Sequence, residues 1–261
     1  MVLLFSCEEQ VHWDLDSREL PLLVVDGMIT NERKPHRVSL SRTVAELNQP
    51  PEPVSNALVA ITDGDTIFLL NERPAGTGQY YTDSTVQGVV GKPYFLYVRI
   101  EEREYWSERT EMVPVEPLES LNYRKTPENP NLYEFINLET PDPSMTQLYL
   151  DWSHLLGGEN PDDARIWFRY YTLRSVDVNE LFKPDQQRIV FPAGTRVWRT
   201  KYSLSSGHQA FIRSLLMETE WKGGVIDVLP ANVITNMVGG AVGYFGASTA
   251  ISDGTVILPL R

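Results

Sequence analysis

The 261-residue sequence contains a single cysteine. It can form no internal disulfide and no zinc site built on several cysteines. Its four histidines, His12, His36, His154 and His208, lie far apart and make neither HxH nor HExxH spacing, so the zincin pattern is absent. Each reads as a surface or hydrogen-bonded histidine. Basic residues are scarce: 23 Lys and Arg stand against 35 Asp and Glu, a net charge of -12. Such a chain repels phosphate backbones, so no nucleic acid is expected as a ligand. No apolar run approaches the ~20 residues of a membrane-crossing helix. Neither G-x-S-x-G nor Ser-x-x-Lys occurs, so two common serine-nucleophile signals fail. No metal ligand set and no cofactor motif stands out.

What is present begins with an address. The chain opens Met1-Val2-Leu3-Leu4-Phe5-Ser6-Cys7, an apolar run ending in a small residue before Cys. This resembles the lipobox of bacterial lipoproteins, with Leu4 at the hydrophobic position and Ser6 before the cut. Cys7 is then the lipidated residue, and outer-membrane lipid is the first expected partner. Several acyl chains at ~0.8 kcal/mol per buried CH₂ make a stable anchor where one would not. The apolar stretch is shorter than a full signal core, so the numbered chain is expected to begin inside a signal peptide. Glu8 and Glu9 follow the Cys, resembling the surface-export signal of Bacteroidetes lipoproteins. Residues 1–19 read as partial signal, lipobox and tether.

From Leu20 the pattern is short apolar runs split by turns, the spacing of an all-β sandwich. Strands are expected near Leu20–Thr30, His36–Thr43, Asn56–Thr62, Thr66–Asn71, Gln79–Thr82, Pro93–Ile100 and Glu104–Met112. Asp63-Gly64 is a hairpin turn, because both residues tolerate positive φ. Residues 20–113 therefore predict an immunoglobulin-like or transthyretin-like sandwich. Prolines at 114 and 117 make 114–120 a linker. Residues 121–261 read as a second β-rich domain. Its strands are expected at Tyr133–Leu138, Met145–Trp152, Arg165–Leu173, Arg188–Phe191 and Thr195–Leu204, with Arg165–Leu173 central because both its faces are β-prone. One amphipathic helix is expected over Gly207–Lys222, capped by Ser206 and Gln209, with Phe211, Ile212, Leu215 and Leu216 on one face. A shorter helix is expected at Asp177–Phe182.

The aromatic supply is the one lead toward function. Trp106, Trp152, Trp167, Trp198 and Trp221 exceed what a core of this size needs, and exposed indoles suit sugars, peptides or partner surfaces. Trp152, at a strand end before His154, is the candidate ligand contact. The spaced glycines near the C-terminus lack the G-x-G-x-x-G order and follow no first βαβ strand. Gly239, Gly240 and Gly243, with Pro230, Asn232, Asn236 and Tyr244, read as a structural motif using positive φ or close backbone approach.

Longer stretches carry a family resemblance. They are Leu23-Val24-Val25-Asp26-Gly27-Met28-Ile29-Thr30-Asn31, Pro53-Val54-Ser55-Asn56-Ala57-Leu58-Val59-Ala60-Ile61, and the run from Pro230 to Ala247. Together they resemble Bacteroidetes outer-membrane lipoproteins grouped as domain of unknown function 4249, across about Leu20 to Ile257. The resemblance implies an accessory lipoprotein of a TonB-dependent outer-membrane receptor. It implies no catalytic residues. The expectation is a non-enzymatic, surface-exposed binding component of a nutrient uptake system. The alternative is a cell-surface adhesion or structural interaction protein.

Overall fold

The computed structural model describes residues 21–44, 49–138, 140–156, 164–173, 188–219 and 233–260. Cys7, the expected helix at Asp177–Phe182, Trp221, Pro230 and Asn232 lie outside these residues. The protein is mainly β, with a single α-helix among the described residues.

The first half supplies β1 (Leu23–Thr30), β2 (Arg37–Arg42), β3 (Leu58–Thr62), β4 (Ile67–Glu72), β5 (Gln79–Tyr81), β6 (Pro93–Ile100), β7 (Arg103–Ser107) and β8 (Thr110–Glu111). The β3–β4 hairpin turns at Asp63-Gly64, where Gly64 has φ +95°. Asp63 caps the turn, accepting from Asp65 N–H at 3.1 Å and Thr66 N–H at 2.8 Å. Lys92 Nζ donates to the same carboxylate at 2.9 Å and lowers its pKa. β4 then changes partner: Ile67–Leu70 pair with β3, and Asn71 and Glu72 pair with β5. The sheet folds over there into two layers, β3, β6 and β7 in one and β1, β2 and β5 in the other. Between them lies a core that includes Val25, Ile29, Leu40, Ile61, Tyr80, Leu96 and Val98.

The strand expected over Glu104–Met112 is two strands. The ladder breaks because Glu108 N–H turns away to the Asn236 carbonyl at 2.7 Å. The Ser107 hydroxyl takes over beside the break, accepting from Leu96 N–H at 2.9 Å.

The second half supplies β9 (Tyr123–Lys125), β10 (Leu132–Phe135), β11 (Ser144–Asp151), β12 (Arg165–Thr172), β13 (Val190–Pro192), β14 (Arg196–Ser203) and α1 (Ser206–Thr219). A small sheet, β13-β10-β9, covers one face of the sheet built on β11 and β14. Tyr133 and Phe191 from the first meet Leu148, Leu150 and Val197 from the second. β12 is an edge strand, not a central one: the order is β12-β11-β14-β17, with β17 at Ala250–Val256. Its outward residues Arg165, Trp167 and Arg169 are exposed, so its β-prone outer face covers no core. α1 begins at Ser206, one residue earlier than expected, so the residue expected to cap the helix lies in its first turn. Ser205 is the capping residue, its hydroxyl accepting from His208 N–H at 3.3 Å. Ile212 is buried, with Phe211 and Leu216 packed beside it, whereas Leu215 is 37% exposed and lies off the packed face.

The last strands cross the boundary expected at 114–120. β15 (Met237–Val238) pairs with β7, and β16 (Ala241–Ser248) pairs in parallel with β1, Leu23 opposite Ala241. After Thr249 the chain enters β17 and pairs with β14. One extended run thus forms an edge of each sheet. Residues 113–119 lie as a strap on the second sheet. Ser203 Oγ donates to the Val113 carbonyl at 2.7 Å, Lys201 Nζ to the Glu116 carbonyl at 3.2 Å, and Arg199 Nη2 to the Glu119 carbonyl at 2.7 Å. These side chains alternate along β14, so one strand face anchors successive carbonyls of the strap.

Candidate functional site

In the β12-β11-β14-β17 sheet, Trp167, Tyr149, Trp198 and Gly254 stand opposite one another in register. Register and pleat place all four on one face, opposite the Leu148–Leu150 core. One flanking row is Arg169, Gln147, Thr200 and Ser252, and the other is Arg165, Asp151, Arg196 and Val256. α1 covers only the far end of this face, over Met145, Tyr202 and Ala250. The aromatic row stays open: Trp167 is 57% exposed and Trp198 45%.

The rings support one another. Tyr149 and Trp198 have centroids 5.5 Å apart at an interplanar angle of 35°. The Arg169 guanidinium carbon lies 5.2 Å from the Trp167 ring centroid, a cation–π contact. Gly254 carries no side chain, and Arg196, Trp198, Gly254 and Val256 border a recess of ≈ 320 Å³. Asp151 is committed locally: its Oδ1 accepts from Ser153 Oγ at 2.6 Å and Ser153 N–H at 2.8 Å. Those bonds, with Arg165 nearby, hold its carboxyl below the usual range. The face can stack on a flat apolar surface and donate hydrogen bonds at both sides.

A second apolar row crosses the outer face of the first sandwich, where Leu69, Ala60, Tyr97, Trp106 and Val238 lie in register. Leu69 is 59% exposed and Trp106 46%.

The sequence candidate Trp152 is half-buried and packs against the Leu148–Phe191 core, so it is the least available of the described tryptophans. Alternation already puts Trp152 on the face of Leu148 and Leu150. Trp167 and Trp198 alternate with Ile166, Phe168 and Val197, a signal that they point the other way. That they share one row required the strand register.

The described C-terminal motif residues tie strands together. The Asn236 amide bonds the Phe245 backbone like a ladder rung, its Oδ1 accepting the N–H at 3.0 Å and its Nδ2 donating to the carbonyl at 2.8 Å. Gly243 has φ +100°, and a Cβ there would lie 2.0 Å from the Val25 carbonyl oxygen. Gly239, at φ +95°, packs against the Glu104 carbonyl, while Gly240, at φ +86°, faces open space. Tyr244 is buried and stacks on His208 with centroids 4.7 Å apart.

His36 is a satisfied core histidine: Nδ1 accepts from Thr30 N–H at 3.3 Å, and Nε2 lies 3.3 Å from the Val86 carbonyl. His208 departs from the expectation, because its solvent-shielded Nδ1 has no hydrogen-bond partner. Its ring lies on Gly246, where a Cβ would come within 3.0 Å of Cε1. Among the described residues no three His, Cys, Asp or Glu side chains are gathered to hold a metal.

A family model described as a domain of unknown function (DUF4249) matches residues 8–253. A search of curated proteins finds no match.

Proposed function

The chain belongs to this family of unknown function, and from that premise we propose that it is a lipid-anchored, surface-exposed binding protein of the outer membrane. In this reading it does no chemistry of its own. It captures a ligand and passes it to a TonB-dependent nutrient receptor. The observation that carries the reading is the open Trp167–Tyr149–Trp198 row. Two indoles left about half exposed on a rigid sheet keep apolar area in water that a ligand can cover. The apolar row through Leu69 and Trp106 is a separate surface, suited to a protein partner. Cys7 supplies the anchor.

The test is fractionation and affinity capture in the native host. Cys7→Ala should move the protein from membranes to the soluble fraction. Wild-type protein solubilised in detergent should retain a large β-barrel receptor, and Leu69→Ser/Trp106→Ser should lose it. Retention of the variant in membranes, or capture of no outer-membrane protein, would end this reading.

A further inference from the structure

We propose that the open face of the β12-β11-β14-β17 sheet binds a short acidic glycan. Trp167, Tyr149 and Trp198 would stack on sugar ring faces, and Arg169 and Arg196 would meet its carboxylates. The proposal rests on the binding-protein reading and names the ligand class of that site.

The first argument is shape. Adjacent strands lie about 4.8 Å apart, so rings on β12, β11 and β14 span about 10 Å, roughly two pyranose rings. A pyranose presents axial C–H bonds on one face and hydroxyls around its rim. The aromatic row matches the face, and the Gln147, Thr200 and Ser252 row matches the rim. Thr200 and Ser252 hydroxyls already lie 2.9 Å apart, close enough to engage neighbouring sugar hydroxyls together. The Tyr149–Trp198 contact orders the platform before a ligand arrives, so little side-chain entropy is lost on binding.

The second argument is charge. The chain carries -12 overall, yet the two rows flanking the rings hold Arg169 and Arg196 beside the already paired Arg165 and Asp151. Asp151 lies 3.9 Å from Arg165, so that pair adds no net charge to the face. Arg169 and Arg196 put positive charge beside the rings of an acidic protein, and complementarity selects an anion there. The rest of the surface repels a long polyanion such as single-stranded DNA, which carries one charge per nucleotide. A short oligosaccharide with carboxylates meets the arginines without crossing that field.

Calorimetric titration with trigalacturonic acid, maltotriose and oligothymidylate tests the proposal. Trigalacturonic acid should bind, and more weakly as salt rises. Trp167→Ala and Trp198→Ala should each reduce affinity roughly tenfold. Arg196→Gln should reduce it and flatten the salt dependence. Gly254→Val, in ordinary strand backbone, should fill the recess and weaken binding while the circular dichroism stays unchanged. Equal affinity for maltotriose, preference for oligothymidylate, or no response to the Trp changes would overturn the proposal, as would no binding at all. Membrane anchoring and receptor capture do not involve this face, so they stand or fall separately.

Discussion

Arg199 and Asp253 meet across β14 and β17 in a two-point ion pair, Nε to Oδ1 at 3.1 Å and Nη2 to Oδ2 at 2.6 Å. The two partners are unequal: the arginine side chain is 7% exposed and the aspartate 40%. Removing the aspartate strands a buried guanidinium, whereas removing the arginine leaves a carboxylate that water can solvate. Asp253→Ala should therefore cost about 3 kcal/mol, near the range for a broken buried pair. Arg199→Met should cost less, through the lost bond to the Glu119 carbonyl. Urea denaturation of both variants checks the order.

Lys201 is the more deeply buried cation, paired with Asp142 and bonded to the Glu116 carbonyl. Lys201→Met should cost about 3–5 kcal/mol, because Asp142 loses its counter-charge in a largely covered site. The double variant with Asp142→Leu should recover part of that loss. A double variant no more stable than Lys201→Met would show that the strap contacts dominate.

Gly243→Ala and Gly240→Ala should separate cleanly. Both glycines have positive φ, which costs a side chain roughly 1–2 kcal/mol. At Gly243 the added methyl also meets the Val25 carbonyl, so β1 and β16 must part. At Gly240 it meets nothing. Thermal melts should show a large loss at 243 and a small one at 240.

Acid should weaken the fold over a defined window. Burial lowers the pKa of both His36 and His208 from 6.5 to about 4. As pH falls through 6.5 the unfolded chain takes up protons that the folded state refuses until about 4. Stability is thus full above 6.5 and drains away as pH falls from 6.5 toward 4, by up to about 3 kcal/mol per histidine. His208→Phe keeps a ring against Tyr244 and should flatten this limb. Melting temperature against pH measures it, and an unchanged slope would assign the loss to other groups.

Local pattern made much of the fold legible. The Pro93–Ile100 strand and the Asp63-Gly64 turn follow from alternation and positive-φ chemistry within a few residues. Alternation also pairs Ile67 with Leu69, but they share the outer face, at 69% and 59% exposed. Period alone does not say which side is covered. The same ambiguity hid the site: alternation puts Trp152 and Trp167 on opposite faces, and the packing of the small β13-β10-β9 sheet decides which face is covered. The strands at 237–256 were not legible because glycines interrupt the apolar pattern, and the partner of β16 lies at the other end of the chain.

That distant partnership sets the order in which the protein can fold. Asn31 accepts a hydrogen bond from Ala250 N–H across 219 residues of sequence. An N-terminal fragment ending near residue 113 would contain β1 through β8 and still lack the strand that covers β1. Its bare edge could recruit another chain. Closing so long a loop is slow compared with making local hairpins. Completion of the first sandwich therefore waits for Ala241–Ser248, and a chaperone acting on the nascent chain would need to shield β1 until β16 arrives.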